Sequence, residues 1–240
     1  MKEQTKLTTV AILFGIAVSV FYLIGFWRTF NINVFQYADL TDVLKSAILP
    51  LSIALLSVFL TFIFMEGPRI VVPSDQPPTI GLRVGKILDW LIKWKELIFI
   101  IWFGSSAIIY QTTPEPIKYF VLAIASLPFA GLVSDAELFV SMIPHIKFRR
   151  ILCFILTPFP FLALLTGSLD AHKIIENQAK YIINPTSLSS LKISGISGKL
   201  EYVGLIGNTF FLYDPVSKGL LLLKQSDNLA MNLLPNPAQK

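Results

Sequence analysis

Long apolar stretches alternate with short polar segments along most of this chain, and that rhythm sets its class. The stretches run over residues 7–27, 46–65, 97–113, 119–143 and 151–169. A bilayer core is crossed by roughly 17 to 25 apolar helical residues, so the pattern predicts five transmembrane helices. The first stretch follows Lys2 and Lys6 and ends with Tyr22 and Trp27, side chains suited to a membrane interface. It is longer than the apolar centre of a signal peptide and meets no small-residue cleavage site. An uncleaved first span is expected.

Between the second and third stretches the pattern changes. Pro68, Pro73, Pro77 and Pro78 break the first half of this segment into a loop. Over 82–96, Val84, Ile87, Leu91 and Trp94 recur at helical spacing, while Arg83, Lys86 and Lys93 gather on another face. Such a helix lies in a membrane interface, its basic side chains on anionic lipid.

The last quarter follows another grammar. Residues 170–183 extend the fifth span as a helical connector that stops before Pro185. Residues 184–240 then alternate turn residues with β-branched, aromatic and leucine runs, which predicts four or five short strands. Asp214-Pro215 through Gly219 is a turn between two of them, and Gly204 and Gly207 suit tight turns or bulges. A sheet of this size is too small to stand alone, so it needs the membrane helices, the lipid surface or copies of itself.

Composition agrees with the pattern. The 240 residues are 54% hydrophobic and 15% charged, with mean hydropathy +0.66, against about 25% charged in soluble domains. The net charge of +5 comes without a basic, aromatic-rich block, which argues against nucleic acid. In a membrane protein the basic excess sets orientation. With the N-terminus inside, the inner segments hold Lys2, Lys6, Arg69, Arg83, Lys86, Lys93, Lys95, Lys147, Arg149 and Arg150. The short outer loops hold only Arg28, Lys45 and Lys118. Five spans then place the β-rich tail on the extracytoplasmic side, and long tails translocate largely regardless of their lysines.

Candidate chemistry is sparse. Asp135 and Glu137 follow sixteen uncharged residues from Tyr119, about 24 Å along a helix. Ionisable groups in a span mark ion sites or proton relays, while at the headgroup level they pair with Lys147, Arg149 and Arg150. Pro158 and Pro160 fall within the fifth stretch and remove two helix hydrogen bonds. Breaks of that kind line transporter sites, although more often they are absorbed by packing, and a break here also allows the segment to be re-entrant. Asp170, His172 and Glu176 follow, but His172 and Glu176 alone supply too few ligands for a structural metal. In the 28–45 loop, Thr41 is a candidate cap for the second span, Asp42 suits its positive end, and Phe35 and Tyr37 are interface residues. Walker A, HExxH and GxSxG patterns are absent, and Ser105 and Ser106 in "GSSA" read as helix-packing residues. The single cysteine, Cys153, excludes an intrachain disulfide.

The expectation is a membrane all-α protein of five spans with a small C-terminal β-rich domain, multi-pass in a bacterial inner membrane. It acts without catalysis or cofactor, by contact with a membrane or envelope partner or as a homo-oligomer: a sensor, an immunity or defence component, or an accessory subunit. The alternative is an oligomeric channel or transporter whose path uses Asp135, Glu137 and the Pro158–Pro160 break.

Overall fold

The structure is a computed structural model that describes residues 2–46, 48, 52, 56, 93–183, 199–225 and 231–238. It is mostly helical, with an antiparallel sheet at the C-terminal end. The chain forms two compact units, Met1–Leu51 with Pro160–Lys240, and Ser52–Phe159.

The first unit begins with α1, Lys2–Arg28. Apolar residues with little periodicity make it a helix that is apolar all round rather than on one stripe. It stops because Asn31 adopts φ 57. The Ile32 amide then reaches back to the Trp27 carbonyl (3.1 Å) and the Asn31 amide to Arg28 (2.9 Å), closing a Schellman motif. The helix before the sheet ends in the same way. Asn177 has φ 63, and the amides of Gln178 and Asn177 bond to the carbonyls of Lys173 (2.8 Å) and Ile174 (3.0 Å). The expected helical connector over 170–183 is therefore corrected. The left-handed Asn177 ends the helix at Ile175, and Tyr181–Ile183 is already strand β1.

The sheet contains β1, then β2 (Leu200–Ile206), β3 (Thr209–Asp214), β4 (Gly219–Lys224) and β5 (Leu233–Pro235), all antiparallel, in the order β4-β3-β2-β1-β5. Gly207 opens the two-residue β2–β3 turn with φ 54, a conformation glycine adopts without strain. A register shift between Tyr202 and Gly204 bulges β2 and sets Gly204 over the Trp27 ring. At the β3–β4 turn the Asp214 carboxylate accepts from the Val216 amide (3.0 Å) and the Ser217 hydroxyl (2.8 Å). Those bonds hold its pKa below the usual carboxylate range, the Ser217 bond contributing most.

Both sheet faces are apolar. Phe211 and Ile206 on one face join Leu23, Trp27, Val34 and Val43 in a core, whereas Ile183, Leu200 and Leu212 form another on the opposite face. A sheet too small to be stable alone is thus completed on one face by helical residues that precede it, Leu23 and Trp27 of α1 and Ile174 of the last helix.

The second unit contains α2 (Lys95–Thr112), α3 (Lys118–Ser126), α4 (Phe129–Asp135), α5 (Glu137–Met142) and α6 (Ile146–Leu156) among its described residues. Phe99 and Phe103 of α2 pack on Phe129 of α4 at ring separations of 6.1 and 5.3 Å. The final helix, α7 (Phe159–Ile175), belongs to the first unit from Pro160 onward.

Among the described residues two helices are long and apolar enough to cross a membrane, Thr8–Arg28 and the 30-residue run Ile146–Ile175, against the five expected. The third stretch, over 97–113, forms a shorter apolar helix, Glu96–Thr112. The fourth, over 119–143, is not one helix. It bends by 41° between α3 and α4, where Pro128 lacks the amide that would continue the ladder, and breaks again at Ala136, whose ψ is 137°. Counted as one bent span, α3 and α4 raise the total to three. The expected second span over 46–65 and the interfacial helix over 82–96 lie outside the described residues apart from isolated positions and the stretch from Lys93.

Candidate functional site

The strongest built feature is the joint between the sheet and the ends of α1 and α7. The two helices run in the same direction, since Phe21 meets Phe161, Gly25 meets Leu164 and Thr29 meets Ser168. They cross at backbone contact. A Cβ at Gly25 would clash with the Leu164 carbonyl oxygen, and one at Gly167 would clash with the Tyr22 carbonyl oxygen and sit 2.9 Å from the Phe26 nitrogen. Small residues permit such an approach, and Ala163, Ser168 and Ala171 continue the buried small face of α7. Polar pairs seal the crossing: the Thr29 and Ser168 hydroxyls lie 3.4 Å apart, and the Tyr22 hydroxyl donates to Asp170 at 3.3 Å.

Beyond the crossing, aromatic rings carry the contact into the sheet. Trp27 meets Phe211 edge-on at 4.6 Å, Phe30 meets Tyr213 at 6.0 Å, and Tyr37 meets Phe211 at 5.3 Å. Each such pair adds about 0.5–1.5 kcal/mol to the burial of its rings. Ile174, near the end of α7, and Ala179, just past it, pack on Tyr213. The loop after α1 is tied in by Asp42, whose carboxylate accepts the Gly207 amide at 2.7 Å.

That bond revises the expected role of Thr41. The cap is Asp39, whose carboxylate accepts the Asp42 amide (3.0 Å) and the Thr41 hydroxyl (2.7 Å) at the start of the helical residues 40–46. The Thr41 bond is the main reason that the Asp39 pKa lies below the usual carboxylate range. Phe35 remains exposed while Tyr37 serves the sheet core.

One buried acid lies in this joint. Glu201 on β2 is 3% exposed, stands opposite Tyr213, and has a carboxylate oxygen, Oε2, without a partner. Burial pushes its pKa up to about 7, against a smaller opposing effect of the Ala179 backbone bond. An open cavity of 610 Å³ flanks the other end of the sheet, lined by Ile182, Lys199, Leu234 and Pro235 among others.

The remaining expected site residues fall elsewhere. Asp135 ends α4 and Glu137 begins α5, so they do not share one continuous helix. Asp135 is exposed and lies 4.0 Å from the Arg149 guanidinium, which is buried and donates to the Ile143 carbonyl at 3.0 Å. Lys147 and Arg150 share α6 with Arg149. Pro158 lies in the turn between α6 and α7, where the Thr157 hydroxyl takes the Cys153 carbonyl at 2.7 Å, and Pro160 sits in the first turn of α7. Asp170 is held by Tyr22 and Lys173, and His172 by the Ser168 carbonyl, with no grouping of three potential metal ligands among the described residues. Lys93 is exposed, and Arg83 and Lys86 lie outside the described residues.

Sequence reasoning passed over Gly25, Gly167, Asn177 and Glu201. The signals were present as glycines inside apolar helices, an asparagine at a helix end, and an acid between Leu200 and Tyr202. Comparison of the chain with family profiles, curated proteins and solved structures finds no match.

Proposed function

We propose that the chain is a multi-pass inner-membrane protein that acts by contact rather than catalysis, with the C-terminal sheet as an extracytoplasmic docking platform. The observation that carries this reading is the joint itself. In the first unit it ties a sheet to the ends of two apolar helices through Trp27, Phe30, Phe211 and Tyr213. A load on the sheet is thereby transmitted to the Gly25–Gly167 crossing.

The helix directions support this reading: α1 and α7 run the same way, which fits an odd number of crossings between them and an odd total such as the five spans expected from the sequence. Lys147, Arg149 and Arg150 open the run Ile146–Ile175 and the sheet closes it. Basic residues inside put the sheet outside. The largely exposed apolar surface of α2, including Ile100, Ile101 and Ile108, suits lipid contact.

The competing conduit would run past Asp135 and Glu137. The separation of these acids onto two helices and the Arg149 partner of Asp135 favour a structural role. Flux through reconstituted liposomes tests the choice. The platform reading expects no ion or solute movement above protein-free vesicles. Flux that disappears in the Asp135→Asn, Glu137→Gln double variant overturns it.

A further inference from the structure

The two edges of the sheet are built differently. On β5 the Asn236 amide bonds inward to the Lys180 carbonyl at 3.1 Å. Alternation along an antiparallel ladder then turns the backbone groups of Leu233 and Pro235 outward. Proline has no amide to offer, so this short edge presents a single outward donor, a recognised way of closing a sheet. On β4 the Gln225 amide bonds inward to the Asn208 carbonyl at 2.7 Å. The same alternation turns Leu220, Leu222 and Lys224 outward. No proline interrupts them, Leu222 is 39% exposed, and among the described residues no strand lies beyond β4.

We infer that β4 pairs antiparallel with β4 of a second copy of this chain, centred on Leu222. This rests on the platform reading and names its partner. The register follows from the outward groups. Leu222 opposite its own mate, with Leu220 opposite the partner's Lys224, satisfies all three outward residues on each strand through about six hydrogen bonds. Leucine then meets leucine at the centre. The two Lys224 side chains fall at opposite ends, roughly 14 Å apart, so like charges do not meet.

Membrane geometry permits this pairing. A twofold axis relating two antiparallel edge strands stands perpendicular to the sheet and leaves its faces unchanged. The face carrying Phe211 and Tyr213 is the one against the ends of α1 and α7. Both helix pairs therefore leave the joined sheet on the same side and enter the same bilayer.

Cysteine cross-linking of the full chain in nanodiscs, in a Cys153→Ala background, tests the register. Leu222→Cys should give a disulfide dimer, since the paired Cα atoms would lie about 5.5 Å apart, within bridging range. Leu234→Cys, on the proline-closed edge, should not. Amide exchange of the wild-type chain gives a second reading. The Leu220, Leu222 and Lys224 amides should be protected, and Leu222→Pro should abolish that protection at Leu220 and Lys224 while Leu221 and Leu223, which bond inward to β3, stay protected. Absence of the 222–222 cross-link, equal cross-linking at 234, or free exchange of the three outward amides overturns the pairing. Protection without the cross-link means that another segment covers the edge, and it too overturns the pairing. Those results leave the platform reading standing, whereas liposome flux dependent on Asp135 and Glu137 removes the platform whatever the oligomeric state.

Discussion

Alanine at Gly167 should loosen the whole first unit, although glycine-to-alanine changes inside helices ordinarily stabilise by about 0.5–1 kcal/mol. The new Cβ would fall on the Tyr22 carbonyl and 2.9 Å from the Phe26 nitrogen, both backbone atoms of α1 that no rotamer change can move. Relief requires α1 and α7 to part. Their separation then breaks the Thr29–Ser168 and Tyr22–Asp170 contacts, already long at 3.4 and 3.3 Å. Overpacking costs about 1–3 kcal/mol, and each of the two lost hydrogen bonds about 0.5–1.5 kcal/mol, so the sum is roughly 2–6 kcal/mol. Gly25→Ala should behave alike, because its Cβ meets the Leu164 carbonyl. Gly104 and Gly131 provide internal controls, with no atom within 4 Å of a Cβ at either. Thermal unfolding in nanodiscs, followed by tryptophan fluorescence, should show lower midpoints for Gly25→Ala and Gly167→Ala, by about 2–4 °C per kcal/mol. Gly104→Ala and Gly131→Ala should match or exceed the wild type. A Gly167→Ala midpoint equal to that of Gly104→Ala would refute the close crossing.

Two further perturbations probe the joint at the sheet. Glu201 is raised from 4.5 to about 7 by burial, so its neutral form is favoured in the folded state. Stability from this group is full below pH 4.5, falls as pH rises through 7, and is lost above it, by about 1–2 kcal/mol after allowance for solvent screening. Denaturation midpoints should therefore decline from pH 5 to 8 in the wild type and flatten in Glu201→Gln; an unchanged slope in the variant would assign the pH dependence elsewhere. Asp42→Ala leaves the Gly207 amide without its 2.7 Å acceptor and should cost about 1.5–3 kcal/mol, read as faster amide exchange at the β2–β3 turn. Exchange there at the wild-type rate would show that the bond does not hold the hairpin.

The sequence made some of this architecture legible and concealed the rest for physical reasons. The β3–β4 turn was readable because Asp214, Pro215 and Gly219 are local turn formers whose chemistry needs no distant partner. The first helix was readable because its apolar run is uninterrupted. The fourth stretch misled because hydropathy averages over Pro128, whose effect is a bend and not a loss of apolar character. Asn177 was hidden inside a sequence with good helix formers on both sides, and its positive φ and the Schellman bonds that close on it mark the end of α7. Gly25 and Gly167 lie 142 positions apart, and nothing local says that one faces the other. Glu201 sits between Leu200 and Tyr202 with ordinary strand alternation, and its burial depends on α7 folding back onto that face.

The side of the membrane on which the sheet lies is tested most directly by a single exposed thiol. Val216, in the β3–β4 turn, is 70% exposed, and the chain's only cysteine, Cys153, is buried and replaceable by alanine. Val216→Cys in that background should react with a membrane-impermeant maleimide on intact cells, to the same extent as after permeabilisation. Labelling only after permeabilisation would put the sheet in the cytoplasm and contradict the platform on the outer face.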